Sequence, residues 1–201
     1  TDAGSSKQDV VDAADAHLGA AAARFVPAHP IAGSERSGAT AADAGLFRGR
    51  SVIVTPLATT APAALATVEA MWRTAGAVVS RLDAAQHDRI FAAVSHLPHI
   101  LAHTLVAELA ARADAAALFT HAGTGFGDFT RIAASSPEMW RDVALANRAA
   151  LLAELDRFGE ALAGVRATIA AGDGDALEAL FARARAARLR WQAARDGDMR
   201  S

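Results

Sequence analysis

The chain has 201 residues, 52% of them hydrophobic, and a formal net charge of -2, which suits one domain or two small ones. Its 20 basic and 22 acidic residues are intermixed, so no basic stripe would attract a polyanion, and we exclude nucleic acid as a partner. The absence of cysteine excludes disulfides and is compatible with the cytoplasm. Because polar residues interrupt the Ala- and Leu-rich segments, we expect no stretch of the roughly 20 apolar residues that spans a bilayer.

The first 80 or so residues alternate short apolar runs with helical patterns, which indicates an α/β layer. Strands are predicted at residues 24–27 and 51–56, and an edge strand at 77–80. Residues 62–75 predict a helix that the following glycine ends. A loop rich in turn residues, 33–38, separates the first two strands.

From Asp83 onward the pattern is helical almost to the end, and Asp83 and Gln86 have the spacing of a capping box. Pro98 lies inside the helix that follows, where it removes a backbone donor and clashes with the preceding turn. We therefore expect a kink or break at residues 95–98. A glycine-rich loop, 123–128, is predicted before the next helix.

The last part of the chain predicts long amphipathic helices. One begins either at Ser135, with Glu138 completing a capping box, or at Ser136, with Pro137 as the first helical residue. Its apolar stripe continues through Leu162, and a final Arg-rich helix follows. Because one chain offers few partners for these apolar faces, we expect a homodimer, with a self-contained bundle as the alternative.

Three histidines, His96, His99 and His103, have i, i+3, i+7 spacing, which places them within about 60° on an uninterrupted helix. One interpretation is a zinc site serving a hydrolase. Zinc hydrolases commonly add an acidic general base, however, and no Asp or Glu lies between Asp88 and Glu108. The alternative is a set of hydrogen-bonded core or interface histidines, and we predict no metal.

His29 and Arg131 also have distinctive neighbours. Pro30 favours extended backbone at His29, at the end of the first predicted strand, and ligands of open α/β sheets gather at the carboxyl ends of strands. A histidine there can act as a base near neutral pH. Arg131 follows the glycine loop, where its guanidinium could bind a carboxylate with two hydrogen bonds. The alternatives are a structural histidine and a surface ion pair.

Four segments stand in a distinctive order: AHPIAGSERSG at 28–38, VSHLPH at 94–99, GFGDFTRIA at 125–133 and PEMWRD at 137–142. In order and spacing they resemble the signature blocks of the prephenate and arogenate dehydrogenase family, closest to its proteobacterial type. The opening DAGSSK, residues 2–7, resembles the segment that follows a Rossmann strand in that family. The resemblance covers nearly the whole chain.

The resemblance implies the last part of a Rossmann-type nucleotide-binding domain at 1–81, followed by an all-α substrate-binding and dimerisation domain at 82–201. The chain contains no G-x-G-x-x-G, the loop that binds a dinucleotide pyrophosphate. It also opens without an initiator Met or a signal-peptide pattern. We therefore expect a chain that begins in mid-fold and binds the dinucleotide poorly by itself.

The activity that the resemblance implies is the oxidative decarboxylation of prephenate or arogenate with NAD or NADP, in cytoplasmic tyrosine biosynthesis. In that reading His29 accepts the hydroxyl proton, Ser5 orients the hydroxyl, and Ser5 and Pro30 contact the nicotinamide. The implied substrate-binding residues are Arg131, His99, Ser95, His96, Glu35 and Trp140, with Asp128 as a further gating candidate. A non-catalytic dimerisation or regulatory module is the alternative from another class.

Overall fold

The computed structural model describes residues 1–33 and 38–198, and the chain divides into two compact units, 1–154 and 155–201. The strands of the described residues are β1 (Ala28–Pro30), β2 (Ser51–Val54) and β3 (Val78–Arg81). The α-helices are α1 (Gln8–His17), α2 (Pro62–Thr74), α3 (Ala84–Phe91), α4 (Leu97–Ala110), α5 (Ala115–Thr120), α6 (Thr124–Thr130), α7 (Pro137–Ala146), α8 (Arg148–Ala171) and α9 (Gly174–Asp198). A small α/β part followed by a helical part confirms the predicted fold class.

The sheet is mixed, with β2 in the centre, antiparallel to β1 and parallel to β3. Its buried face carries Ala28, Val52 and Val54, which pack with Val26 and with Trp72 of α2. Two of the strand predictions hold, but the first strand was placed wrongly. Residues 25–27 lie outside the ladder because its pairing with β2 begins only at Ala28. His29 is therefore the middle residue of β1 and does not follow the end of a strand.

The predicted helix after β2 is confirmed, and its end shows why the chain carries glycine there. Gly76 has a φ of +87°, a left-handed conformation that side chains disfavour. A Cβ at this position would also lie 3.2 Å from the Cα of Arg48. Gly76 thus lets the chain turn closely against Arg48 before β3 begins.

The predicted cap of α3 forms, because the Asp83 carboxylate accepts a hydrogen bond from the backbone N–H of Gln86 at 2.7 Å. We expect Asp83→Ala to lower the free energy of unfolding by about 1 kcal/mol, the usual cost of a lost helix cap. Denaturant unfolding measures the change. Asp114→Ala is the matched control, since Asp114 occupies the corresponding position of α5 without such a bond and should cost less.

α3 and α4 form one long apolar run, Ala84–Ala110, joined by the π-helical turn Ala92–His96. The turn ends two residues before Pro98, so the helix is irregular next to the residues 95–98 where we expected a kink or break, but it is not interrupted. The run corrects our expectation of no long apolar stretch, since by length and composition it could cross a membrane. One such helix is weak evidence for a membrane span, because core helices pass the same test. This one packs as a core helix against α1 and α6.

Two helix predictions in the second half need correction. The glycine-rich segment expected as a loop is mostly helical, as α6. The helix expected to continue through Leu162 ends at Ala146, and α8 begins at Arg148. Of the two start sites considered, the structure uses Ser136, whose hydroxyl accepts a hydrogen bond from Met139 N–H at 3.3 Å.

The unit at 155–201 contains most of α8 and all of α9, with a turn at Gly172. The Asp173 side chain caps α9 by accepting a hydrogen bond from Ala176 N–H at 2.9 Å. Farther along α9, the guanidinium groups of Arg188 and Arg195 lie 4.5 and 5.0 Å from the Trp191 ring. Many large apolar side chains of this unit are exposed, namely Phe158, Leu162, Ile169, Phe181, Leu189 and Trp191.

Candidate functional site

Three buried polar side chains form a hydrogen-bonded line at the edge of the sheet. His29 Nδ1 lies 2.8 Å from His87 Nε2, and His87 Nδ1 lies 2.8 Å from Asp88 Oδ1. β1 supplies His29, and the Asp83-capped helix α3 supplies the other two. Phe91, one turn later on α3, stacks on His87 at 4.4 Å and lies 4.8 Å from the His29 ring. Hydrogen bonds and packing thus fix both imidazoles.

The charge of Asp88 determines the direction of these hydrogen bonds. Burial by itself would raise the pKa of Asp88, but hydrogen bonds from His87 and from the N–H groups of Gln8 and Lys7 hold it below its ordinary value. The ionised carboxylate can only accept, so His87 carries its proton on Nδ1. When His87 carries no second proton, its Nε2 accepts and His29 donates from Nδ1. This leaves Nε2 of His29 unprotonated, as a general base requires.

The positive charge of His29 is disfavoured by its surroundings. Burial lowers the pKa of His29 to about 3, helped by His87, Lys7 and His96 and opposed by Asp2. The Lys7 side chain is fully buried, pairs with Asp2, and donates to the carbonyl of Ala28 at 2.8 Å. His29 is therefore a neutral imidazole at physiological pH.

Asp88 also holds the start of α1. Its two carboxylate oxygens accept hydrogen bonds from the N–H of Lys7 at 2.8 Å and of Gln8 at 2.9 Å. A carboxylate at a helix N-terminus satisfies unpaired N–H groups and interacts favourably with the helix dipole. The contact joins positions about 80 residues apart in the chain and fixes the short segment that carries Ser5.

A buried asparagine, Asn147, connects this line to a second histidine. Its amide donates to the backbone carbonyl of Asp88 at 2.8 Å and lies 3.1 Å from Nδ1 of His96. An amide that donates to Nδ1 leaves the proton of neutral His96 on Nε2. Burial lowers the pKa of His96 to about 4, opposed by Asp88 and by the backbone of Ser5. His96 thus presents an N–H donor next to the segment that carries Ser5.

Aromatic contacts lead from His96 towards Arg131. Trp140 of α7 lies edge-on to His96 at 6.0 Å and stacks on His99 at 3.6 Å between ring centroids. Burial lowers the pKa of His99 to about 4, with contributions from His103, His96 and then Arg131. Arg131 therefore lies close enough to His99 to influence the charge of the His99 ring. Arg131 itself is exposed.

Four buried nitrogen atoms in this region make no close, well-aligned hydrogen bond with the described residues: Nε2 of His96, Nδ1 of His99, Nε2 of His103 and Nε1 of Trp140. The backbone of Ser5 lies near His96 and that of Ile132 near His99, so these two imidazoles have weaker polar contacts. The His103 ring donates from Nδ1 to the carbonyl of His99, so its Nε2 is an acceptor. Trp140 and His96 supply donors. Because buried polar groups are normally paired, this mixed set indicates a place for a small polar molecule.

The remaining predicted residues lie in different positions. Ser5 precedes α1, and Pro30 ends β1 beside His29; both are partly buried. Ser95 lies in the π-helical turn next to His96 and is also partly buried. Asp128, on α6, is exposed. Glu35 lies outside the described residues.

The metal interpretation gains no support from the described part of the chain, which holds no group of three His, Cys, Asp or Glu side chains arranged around a common point. His99 and His103 have ring centroids 6.3 Å apart, and His103 Nδ1 is already bonded to a backbone carbonyl. A site closed by the three histidines therefore does not form in this arrangement.

The buried histidines should make stability depend on pH. Their pKa values in the folded chain, about 3 for His29 and about 4 for His96, lie below the ordinary 6.5. As the pH falls below 6.5, these histidines bind protons in the unfolded chain but not in the folded chain, so the free energy of unfolding declines. Each histidine can contribute up to about 1.4 kcal/mol per pH unit.

Denaturant unfolding between neutral pH and about pH 4 tests this dependence. His96→Gln should flatten the decline, because it removes one titrating side chain from the protein interior. The control is His17→Gln on the exposed face of α1, which should leave the slope unchanged. An equal slope in all three proteins would contradict the expectation.

His87, Asp88 and Asn147 were not among the residues predicted from sequence. One signal was available for Asp88, since the 19 residues after it, 89–107, contain no acid. A lone acid at the start of an apolar helix often has a buried partner. No local pattern identifies Lys7 or His29 as the distant residues that Asp88 and the neighbouring His87 contact.

The chain resembles known proteins along nearly its whole length. Its residues 1–81 match the model of the prephenate dehydrogenase nucleotide-binding domain, and residues 83–183 match that of the prephenate dehydrogenase dimerization domain. It is 38% identical over 167 residues to cyclohexadienyl dehydrogenase of Zymomonas mobilis, covering 82% of this chain and 57% of that protein. It is 40% identical over 161 residues to prephenate dehydrogenase of Bacillus subtilis, covering 80% and 42%.

The chain is also similar to a solved structure of the same family. Prephenate dehydrogenase from A. aeolicus, in complex with hydroxyphenyl propionate and NAD+, is 36% identical, with a TM-score of 0.86 over 93% of this chain and 65% of that one. The chain spans about half the length of the curated relatives it matches, 57% and 42% in the two cases above. With both domain models matched in order, the chain belongs to the prephenate dehydrogenase family.

Proposed function

We propose that this chain provides the general base and the substrate-binding residues of an NAD(P)-dependent dehydrogenase that oxidatively decarboxylates prephenate or arogenate in tyrosine biosynthesis. The observation that carries the proposal is the buried line of hydrogen bonds from His29 through His87 to Asp88, which leaves Nε2 of His29 unprotonated when His87 is neutral. Family membership supplies the substrate class, since the relatives are a prephenate and a cyclohexadienyl dehydrogenase.

The substrate ring carries a hydroxyl and a hydrogen on one carbon and a carboxylate on the opposite carbon. Oxidation of the alcohol with loss of CO2 makes the ring aromatic. In this chain Nε2 of His29 accepts the hydroxyl proton, and Ser5 orients the hydroxyl. His29 is suited to this role because it is neutral, so no proton has to leave before it can act.

The residues present fit the reactive end of a nicotinamide cofactor. Pro30 adjoins His29 in β1, and the backbone of Ser5 interacts with His96, which in turn lies close enough to His29 to influence its charge. A bound nicotinamide would supply the two-electron oxidant. The sequence contains no G-x-G-x-x-G, so we assign no residue of this chain to the cofactor phosphates.

For the rest of the substrate we propose a site lined by the buried rings and the nearby guanidinium. Arg131 would bind a carboxylate, while His96, His99 and Trp140 offer unpaired nitrogen atoms to the side chain of the substrate. Ser95 would support His96 from the adjoining turn. Glu35 would also bind the substrate, and Asp128 would gate access to the site, as the resemblance implies.

We further propose that the chain functions as a homodimer in the cytoplasm. The exposed apolar side chains of α8 and α9 would otherwise remain in contact with water, and the matched family model is that of a dimerization domain. A self-complementary interface of two identical subunits would cover them.

The test is an assay of the purified protein that carries this chain, with prephenate and with arogenate, each in the presence of NAD and of NADP. Formation of reduced cofactor, together with 4-hydroxyphenylpyruvate or tyrosine as product, is the expected result. Calorimetric titration of both cofactors shows whether the dinucleotide binds. Failure to oxidise either substrate with a cofactor bound would favour a non-catalytic dimerisation or regulatory module.

A further inference from the structure

The proposed base is the first member of a line that continues into the protein interior. His87 is fully buried and Asp88 is 5% exposed, so the two hydrogen bonds beyond His29 are shielded from bulk water. A histidine needs only one hydrogen bond to fix its tautomer, and a backbone carbonyl commonly serves. Here the partner is a second imidazole, which can itself take up a proton.

The surrounding charges make the two imidazoles unequal sites for that proton. On His29 the positive charge would lie near the buried ammonium of Lys7, which opposes it, although Asp2 partly compensates. His96 lies close enough to oppose a positive charge on His29 as well. On His87 the charge would be in direct contact with the Asp88 carboxylate, 2.8 Å away, in a region where water screens little.

We propose that His87 is a positioning and proton-relay residue, which takes the Nδ1 proton of His29 as the hydroxyl proton of the substrate arrives at Nε2. This inference rests on the proposed function. The substrate O–H bond breaks and an N–H bond forms at Nε2 of His29; the Nδ1–H bond of His29 breaks and an N–H bond forms at Nε2 of His87. The hydride goes to the nicotinamide cofactor, CO2 leaves, and the remaining proton stays on His87 opposite Asp88.

Asp88 also has a structural role, because the same carboxylate caps the N-terminus of α1. It accepts hydrogen bonds from the backbone N–H groups of Lys7 and Gln8, and one of its oxygens is also bonded to His87 Nδ1. The segment carrying Ser5 and the imidazole that receives the proton are therefore fixed by one side chain. A shift of Asp88 would disturb the orientation of the hydroxyl and the relay together.

The first test compares wild type with His87→Gln. Glutamine can accept the hydrogen bond from His29 but cannot pass on a proton. We expect kcat to fall by about 10- to 100-fold with KM changed by no more than about twofold. Single-turnover rates measured across mixtures of light and heavy water should curve for wild type, with two protons in motion, and fall on a straight line for the variant.

His17→Gln, on the exposed face of α1, is the control and should keep the wild-type rate and the curved dependence. A straight line for wild type, or an unchanged kcat in His87→Gln, overturns the relay while leaving the proposed function in place. A wild-type protein that oxidises neither prephenate nor arogenate overturns both together.

The second test does not require a folded variant. In wild-type protein labelled with ¹⁵N on histidine, NMR should show His29 and His87 each protonated on Nδ1 and unprotonated on Nε2. That result supports the direction of the relay before substrate is added. A proton on Nε2 of His29 in the free protein would overturn it.

Discussion

Replacing His29 with Asn should lower kcat by roughly 10²- to 10⁴-fold, the contribution of a positioned general base, and leave KM nearly unchanged. Asparagine keeps an amide that can donate to His87 Nε2, so the line behind it is disturbed less than by alanine. It has no basic nitrogen to accept the hydroxyl proton. Steady-state kinetics with prephenate and saturating cofactor measure both constants.

The control for this variant is His121→Asn, since His121 is an exposed histidine at the end of α5, and its kcat should equal that of wild type. Which of the two constants changes in His29→Asn, kcat or KM, decides the role of His29. A large rise in KM with unchanged kcat would move His29 from the chemistry to substrate binding. It would also remove the reason for the relay behind it.

Arg131→Ala should raise KM by about 10- to 150-fold, which corresponds to about 1.5–3 kcal/mol for a hydrogen bond to a charged group. Breaking a buried ion pair would cost more than this range of binding free energy. The smaller range applies because Arg131 is exposed in the structure. Binding of the substrate carboxylate would remove the guanidinium of Arg131 from water. The measurement is KM for prephenate, with kcat expected to change less.

Arg141→Ala provides the matched control, because Arg141 is an exposed arginine of α7 that pairs on the surface with Asp142 at 2.7 Å. It should leave KM unchanged. Arg131→Lys is informative as well, since lysine keeps the charge but lacks the planar fork that binds a carboxylate through two hydrogen bonds. A normal KM in Arg131→Ala would exclude Arg131 from the site.

Local sequence patterns predicted much of the helical part correctly. The cap at Asp83, the irregular turn next to Pro98 and Ser136, one of the two helix starts considered, all depend on contacts within a few residues. The glycine-rich segment before Arg131 misled the prediction because glycine is also tolerated inside a short helix. The first strand was misplaced because its limits are set by pairing with β2, which lies more than 20 residues away.

For the candidate site, the sequence identified residues individually and could not predict their partners. His29 and His87 are 58 positions apart, and Lys7 and Asp88 are 81 apart. No periodicity links such positions, because the approach of β1 and α1 to α3 is a property of the fold. The family resemblance pointed to His29 and Arg131, whereas the hydrogen bonds that give His29 its tautomer became visible only in three dimensions.

The π-helical turn Ala92–His96 has a consequence for how this segment can evolve. A π turn accommodates one residue more than the α-helix it interrupts, and each residue of an α-helix rotates the chain by about 100°. Deleting a single residue here would convert the π turn into a regular α turn and keep the helix on either side in register, whereas a deletion in a regular stretch would rotate every following side chain by about 100°. The turn is therefore a place where the length of this helix can change by one residue while His87 and His99 keep their sides of the helix.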